Sequence, residues 1–402
     1  MECLVKIYNK DSIKNLVSIF SYHPKKIIFL YDSRFTSQKE LTNLKNACSI
    51  RLNKSVLEFV EIDKHSIDKT YLACKHIINK NPDCFFDITG AGELCAIAVY
   101  LSCKKNFTPI FSVDIERGRL VNIYGCNYLV DGFSLPKIST DALFQSHGVT
   151  IVGSNHPKPT SDMYDNILKF CDDIFSNIEE WKKTCFFLQT ALSSNATDCK
   201  SMQFSSARRI SVSGSELYLK DTRLIYLAEE LGFLRNVYID NNKITFLFKN
   251  GISKKYMTDF GTWLELYTFV KTQREPAFND VRISTKINWT VKQKNIPEVT
   301  NEIDVTFVYG IHAVFVSCKL SDPPTTALQE LSVYSTYLGG QYSKCILVTL
   351  ANINKSKSHL IARAEDMGIT IIDGRTIREG KLIESIKAAL DAPKDCPFVE
   401  DI

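Results

Sequence analysis

Two hydrophobic periods alternate through the first 150 residues, and this rhythm limits the fold more than any other feature of the chain. "CLVKIY" reads as a strand. "DSIKNLVSIF" follows, with Ile13, Leu16, Val17 and Phe20 on one helical face and Asp11 or Ser12 as its cap. The pattern then repeats through "KIIFLY", a helix around "SQKELTNLKNAC", "SVLEFVEI", a helix around "DKTYLACKHIIN", "CFFDI" and, after "TGAGEL", the helix "CAIAVYLSCK". "TPIFSV" and "RLVNIY" add further strands. Such alternation predicts a mostly parallel sheet covered by helices on both faces. Ligands of these sheets bind outside the carboxyl ends of the strands.

"GSNHPKPTS" (153–161) breaks the pattern with two prolines and a glycine and predicts a linker. A helical stretch follows, then helix "RLIYLAEELGFL" and a hairpin, "NVYIDNNKITFLFKN", turning at "DNN". Helix and hairpin together read either as a winged helix or as a small packing subdomain. From residue 259 the order is helix, three strands, helix and strand, extended by one more helix and strand. The expected regions are therefore 1–152, 153–250 and 251–402, an α/β chain with a small helical, winged-helix-like insert. A length of 402 residues suits two or three domains. No run of about 18 apolar residues occurs, so no membrane span is expected. "MECLVKIYNK" lacks the pattern of a signal peptide. Thirteen cysteines without a CxxC pair sit in apolar runs, which predicts reduced, buried thiols in a cytoplasmic protein. The net charge of +4 permits a nucleic-acid partner without arguing for one.

"NEIDVTFVYGIHAVFVSCKLS" (301–321) is a hairpin whose ends carry charge, although charged residues are poor strand formers. If the turn centres near 310–311, Asp304 faces Ser317 across the ladder and Lys319 points to the same side. Asp304, Ser317 and Lys319 then cluster at one end of the sheet, with Glu302 further out. This combination suits metal-assisted phosphodiester hydrolysis. The carboxylate holds Mg²⁺ or Mn²⁺, and the lysine orients water or offsets phosphorane charge. Glu265, on the preceding helix "GTWLELYTF", offers a further oxygen, and Gln329 lies on the helix after the lysine.

At these residues the chain resembles the restriction-endonuclease-like PD-(D/E)xK nucleases, with Asp304 from "IDV" and Lys319 from "SCK". Ser317 stands where that family has Asp or Glu. The resemblance implies that Glu265, Glu302 and the Cys318 carbonyl complete the metal site, or that activity is impaired.

"FFDITGAGELCAIAVY" places a small-residue loop between a buried strand and a helix whose N-terminal amides favour phosphate. It resembles the strand–"TGG"–helix segment of CARF domains, the Rossmann-like sensors of CRISPR systems. Here Ala91 replaces the middle glycine, and Glu93 and Leu94 stand where Thr and Lys are common. Thr89, Gly90, Ala91, Gly92 and Glu93, with Asn9 and Lys10 of "YNKDS" and Asp32, Ser33 and Arg34 of "YDSRF", are the candidate ligand contacts.

The whole order resembles the ancillary nucleases of type III CRISPR defence. That resemblance implies a homodimer whose sensor domains bind a cyclic oligoadenylate, most often cyclic tetra-adenylate. The bound ring activates cutting of single-stranded DNA, single-stranded RNA or supercoiled DNA. Two other readings stand beside it. One is a ligand-responsive transcription regulator with an inert nuclease-like domain. The other is a sensor that degrades its own ligand, for which "TGAGEL" offers no His or Lys as an acid or base.

Overall fold

β1 (Cys3–Ile7) is buried at every position and lies inside a parallel sheet whose strands are linked by helices. In chain order these are α1 (Ser12–Tyr22), β2 (Lys26–Tyr31), α2 (Gln38–Ser49), β3 (Val56–Glu61), α3 (Ile67–Lys80), β4 (Cys84–Asp87), α4 (Glu93–Lys105), β5 (Ile110–Asp114) and β6 (Arg119–Tyr124). The strand order is β3-β2-β1-β4-β5-β6, parallel except for β6, which runs against β5. Asp11 takes the α1 N-cap position without a capping side-chain bond, whereas Ser37 and Glu40 close a reciprocal capping box on α2. The computed structural model describes residues 1–52, 54–194, 201–212, 215–289, 299–353 and 358–391.

The chain continues through α5 (Asn127–Val130) and α6 (Thr140–Ser146) to β7 (Thr150–Ser154). The linker expected from 153 therefore begins inside a strand. β7 pairs antiparallel with β13 (Phe278–Asn288), and Asn155 N–H donates to the Ser284 carbonyl at 3.1 Å. Gly153 and the prolines after it mask the strand in the sequence, because the β-branched run "VTIV" is only four residues long.

Next come α7 (Tyr164–Ser176), α8 (Ile178–Ser194), β8 (Gln203–Ala207), β9 (Arg209–Val212), β10 (Ser215–Tyr218), α9 (Arg223–Glu230), β11 (Leu234–Ile239) and β12 (Lys243–Phe248). β8 adds to the predicted hairpin, giving the sheet β11-β12-β8. This insert does not stand apart. Phe170, Trp181 and Phe233 meet Trp263 of α11 (Thr262–Gln273), with the Phe170 and Trp263 ring centres 4.5 Å apart. α10 (Gly251–Met257) links the two.

The second sheet has the order β17-β16-β15-β14-β13-β7 among the described residues. It contains β14 (Thr300–Tyr309), β15 (His312–Lys319), β16 (Lys344–Thr349) and β17 (Ile369–Ile372). α12 (Thr325–Tyr334) continues as a π-helical turn, Ser335–Gly339. α13 (Ser358–Asp366), α14 (Gly374–Arg378) and α15 (Leu382–Asp391) complete the fold. One face of this sheet packs into the insert's core. The other shares a core with the first sheet, where Leu4, Phe29 and Phe111 join Phe144, Phe315 and Tyr334. The eleven described cysteines are all buried. Among the described residues no helix is long and apolar enough to cross a membrane.

Candidate functional site

The β14–β15 register pairs Tyr309 with His312 and Val305 with Val316, which sets Asp304 opposite Ser317. The side chains follow. Lys319 Nζ lies 3.5 Å from Asp304 Oδ2, which also accepts from the Cys318 N–H at 2.7 Å and the Ser317 hydroxyl at 3.3 Å. The two charged side chains reach solvent where the β14–β15 pairing ends, 17% exposed for Asp304 and 32% for Lys319. Cys318, expected to offer its carbonyl, gives its N–H to Asp304 and turns its thiol inward against Thr268.

Burial pushes the Asp304 carboxyl above its ordinary range, against the pull of Lys319 and the Cys318 N–H. Burial also works against the Lys319 ammonium, but Asp304, Cys318 and Glu330 outweigh it and hold the group above its usual value. An aspartate in a simple ion pair would be lowered. Asp304 is raised because its loss of water outweighs the pull of Lys319 and the Cys318 N–H, and the Glu302 carboxylate adds to the rise.

Glu265 of α11 sits beside this pair. Its Oε2 is buried and has no hydrogen-bond partner. Burial, then Asp304, Glu302 and Asp259, push its carboxyl well above the ordinary range. Glu302 and a residue that sequence reading passed over, His156, complete the cluster. One donor atom from each of His156, Glu265 and Glu302 lies within 4.8 Å of the others. The donor set fits a divalent cation, since a buried carboxylate oxygen without a partner is short of positive charge. Ser284 organises this corner. It lies between the Ile283–Val305 and Thr285–Ile303 pairs, with a φ of 51° that a non-glycine residue rarely adopts. Its hydroxyl donates to the Glu302 carboxylate and accepts from the His156 N–H at 3.0 Å. Gln329 is exposed on α12.

The expected sensor contacts divide. Asn9 and Lys10 line a cavity of about 520 Å³ with Lys14, His147, Tyr337 and Gln341, so this cavity opens between the first sheet's edge and the segment after α12. Asp32, Ser33 and Arg34 line a second cavity of about 400 Å³ with Asp63 and Lys69. None of 89–93 lines either cavity. Gly90 adopts a φ of 74°, and a Cβ there would come 2.8 Å from Asn9 Nδ2 and Lys14 Cδ, so glycine is required where the two loops meet. Asn9 Nδ2 donates to the Gly90 carbonyl at 2.7 Å.

Two predicted contacts are committed within the fold. Thr89 is buried, with its N–H and hydroxyl on Asp87 and its oxygen accepting from the Val113 N–H. Asp32 is buried and accepts from both Arg34 Nε and Nη2, and the Arg34 guanidinium holds its carboxyl well below the usual carboxylate range. Arg34 also bridges to Asp63, and Ser33 donates to Glu61. Ala91, Gly92 and Glu93 are accessible, with Gly92 as the N-cap of α4.

Residues 254–388 match the family model described as Card1-like, endonuclease domain. No curated protein matches the chain at a significant level. Among solved structures, protein VC1899 from Vibrio cholerae is similar with a TM-score of 0.72 and 18% identity, over 96% of this chain and 98% of that one. Can2 from Sulfobacillus thermosulfidooxidans, in complex with cyclic tetra-adenylate, is similar with a TM-score of 0.66 and 14% identity, over 98% of this chain and all 100% of that one. A type III CRISPR defence DNA nuclease activated by cyclic oligoadenylate is similar with a TM-score of 0.50 and 10% identity, over 88% of this chain and 46% of that one. The likeness extends over both sheets, and the resemblance to CARF-containing ancillary nucleases stands.

Proposed function

We propose that this chain is a cyclic-oligoadenylate-gated, divalent-cation-dependent nuclease of type III CRISPR defence that works as a homodimer. One observation carries the reading: Asp304 and Lys319 meet where the β14–β15 pairing ends, beside a Glu265 oxygen without a partner. Asp304, Glu265, Glu302 and His156 are the groups that would hold Mn²⁺ or Mg²⁺. Such an ion, when bound, polarises a phosphate and makes water a better nucleophile at neutral pH. The remaining work falls to the chain. The Cys318 N–H and Ser317 hydroxyl fix the Asp304 rotamer. Lys319 keeps its proton and sets an ammonium against the charge that builds on a phosphate in displacement. Ser317, being neutral, contributes position and no charge.

Several features support gating and dimerisation. Lys10 and Lys14 supply positive charge to the first cavity, and Lys14 Nζ reaches Gln341 Oε1 at 3.4 Å. The π-helical turn that lines this cavity grows out of α12, whose Tyr334 hydroxyl donates to the Glu302 carbonyl at 3.0 Å. A ligand such as cyclic tetra-adenylate, preferring one arrangement of this turn, would shift the population of nuclease states. On α4, Leu94, Ile97 and Leu101 form an exposed apolar row, 42%, 46% and 48% accessible, which suits a second copy across a two-fold axis. The regulator reading fares worse. Leu224, Ile225 and Ala228 of α9 are buried, and Arg223 is engaged by Asp173 and Glu180.

The test is cleavage of labelled single-stranded DNA, single-stranded RNA and supercoiled DNA with Mn²⁺ or Mg²⁺, with and without cyclic tetra-adenylate. Asp304→Asn and Lys319→Met should each lower cutting at least about 100-fold while ring binding by calorimetry is unchanged. Either variant cutting at the parent rate would remove the site assignment.

A further inference from the structure

The family match begins at residue 254, yet one donor of the cation cluster lies almost a hundred residues earlier, in the connection after β7. We propose that His156 is a nitrogen ligand of the nuclease cation and biases the site toward transition ions over Mg²⁺. The proposal rests on the reading of this corner as a divalent-cation site. Its own support is geometric. His156 comes within 4.8 Å of carboxylate oxygens of Glu265 and Glu302, and Glu265 keeps a buried oxygen without a partner.

The backbone of the connection is fixed from both sides, and the Thr262 hydroxyl lies 3.3 Å from His156 Nε2 of the ring. The Asn155 N–H reaches the Ser284 carbonyl at 3.1 Å, and the His156 N–H reaches the Ser284 hydroxyl at 3.0 Å. From the other side, Lys255 Nζ donates to the Asn155 carbonyl at 3.0 Å and the Tyr256 hydroxyl donates to the Pro157 carbonyl. Asp259 Oδ2 lies 3.7 Å from His156 Nε2, and a carboxylate beside an imidazole is a common second partner of metal-binding histidines. The chemistry of the donors then sets the preference. Mg²⁺ wants an octahedron of oxygens and parts with its waters reluctantly. A mixed set of one imidazole and two carboxylates suits Mn²⁺ and the later first-row ions better.

The experiment uses Mn²⁺ as the probe on the full chain. Mn²⁺ binding is measured by electron paramagnetic resonance, and pulsed spin-echo spectra are recorded for ¹⁴N modulation from a coordinated imidazole. The parent should bind Mn²⁺ and show that modulation. His156→Gln should lose it, bind Mn²⁺ at least about tenfold more weakly, and show a smaller ratio of Mn²⁺- to Mg²⁺-supported cleavage. Circular dichroism of His156→Gln and His156→Asn checks that the fold is kept. A parent that binds Mn²⁺ without ¹⁴N modulation, or a His156→Gln that binds as tightly as the parent, overturns the role of His156 while leaving the cation site intact. A parent that binds no divalent ion overturns both.

Discussion

Lys6 is the least expected residue of the first sheet, and replacing it is a direct test of what holds the loop after β4. It stands in the middle of β1 at 1% exposure, and Asp87 at the end of β4 is equally buried. Lys6 Nζ donates to Asp87 and, at 2.7 Å, to Ser18 Oγ. Asp87 also accepts from the Ser18 hydroxyl and from the N–H and hydroxyl of Thr89. Burial lowers the Lys6 ammonium below its usual pKa, while Asp87 pulls it back up. Lys6→Met leaves the aspartate with three neutral donors and no cation. Removing one partner of a buried pair costs about 3–5 kcal/mol, and the surviving donors place this case at the low end, about 3 kcal/mol. For a region of this size that corresponds to a melting temperature lower by roughly 6–12 °C. Adding Asp87→Asn removes the stranded charge and keeps an acceptor for Thr89, so the double variant should recover most of the loss. Thermal unfolding followed by circular dichroism measures both. A Lys6→Met protein within about 1 kcal/mol of the parent, or a double variant no better than the single one, would refute the argument.

Three further outcomes follow from particular contacts. Tyr334→Phe deletes the hydroxyl that reaches the Glu302 carbonyl, so basal cutting should persist while the rise on adding cyclic tetra-adenylate shrinks; an undiminished rise in a fluorescent-substrate assay would sever that route. Burial lowers the His147 imidazole to about 4. Its stabilising contribution is therefore complete above the unfolded value near 6.5 and drains away as pH falls toward 4, by up to about 3 kcal/mol. Melting curves from pH 7 to 4 should fall more steeply for the parent than for His147→Gln, and parallel curves would contradict this. Leu101→Lys, in the exposed row of α4, should yield monomers by light scattering, and an unchanged dimer would place the interface elsewhere.

The hairpin chemistry was legible because a strand has a period of two and a tight turn sets its register. Once Tyr309 and Gly310 were read as the turn, Asp304 had to face Ser317 with Lys319 on the same side, and the three meet, although β14 itself runs on past them to Thr300. The parallel sheet was legible for a similar reason, each strand and helix announcing its own period. His156 was not legible. It approaches Glu265 and Glu302 through β7, a strand too short to show a period, and through a histidine flanked by Asn155 and Pro157 that looks like any loop residue. The sensor contacts were half legible. Loops at a sheet's carboxyl edge can be named from the pattern, but which side chains the fold consumes cannot. Asp32 and Thr89 are spent on Arg34 and Asp87, while Lys14, His147 and Gln341 line the cavity from elements whose convergence no local pattern announces.

The loss of an independent linker matters for gating. A tether would let the two sheets move apart without penalty, and ligand binding on one would then do nothing to the other. Here they share one core. Phe144 of α6 stacks on Phe315 of β15 with ring centres 6.0 Å apart, and the Asp280 carboxylate accepts from the Thr140 N–H at 2.8 Å. Arg282 of β13 reaches back to Asp141. Packed interiors resist continuous deformation, so a shift at the Lys10–Lys14 edge has to be taken up by a discrete repacking. The π-helical turn between that edge and Tyr334 is the element suited to it. Its wider hydrogen-bond spacing is less regular than the helix it extends, and Gly340 immediately after it adopts a φ of 59°. A ligand that grips this turn more firmly in one register than another would therefore change the position of the Glu302 strand, and with it the spacing of the acidic groups that have to close around a cation.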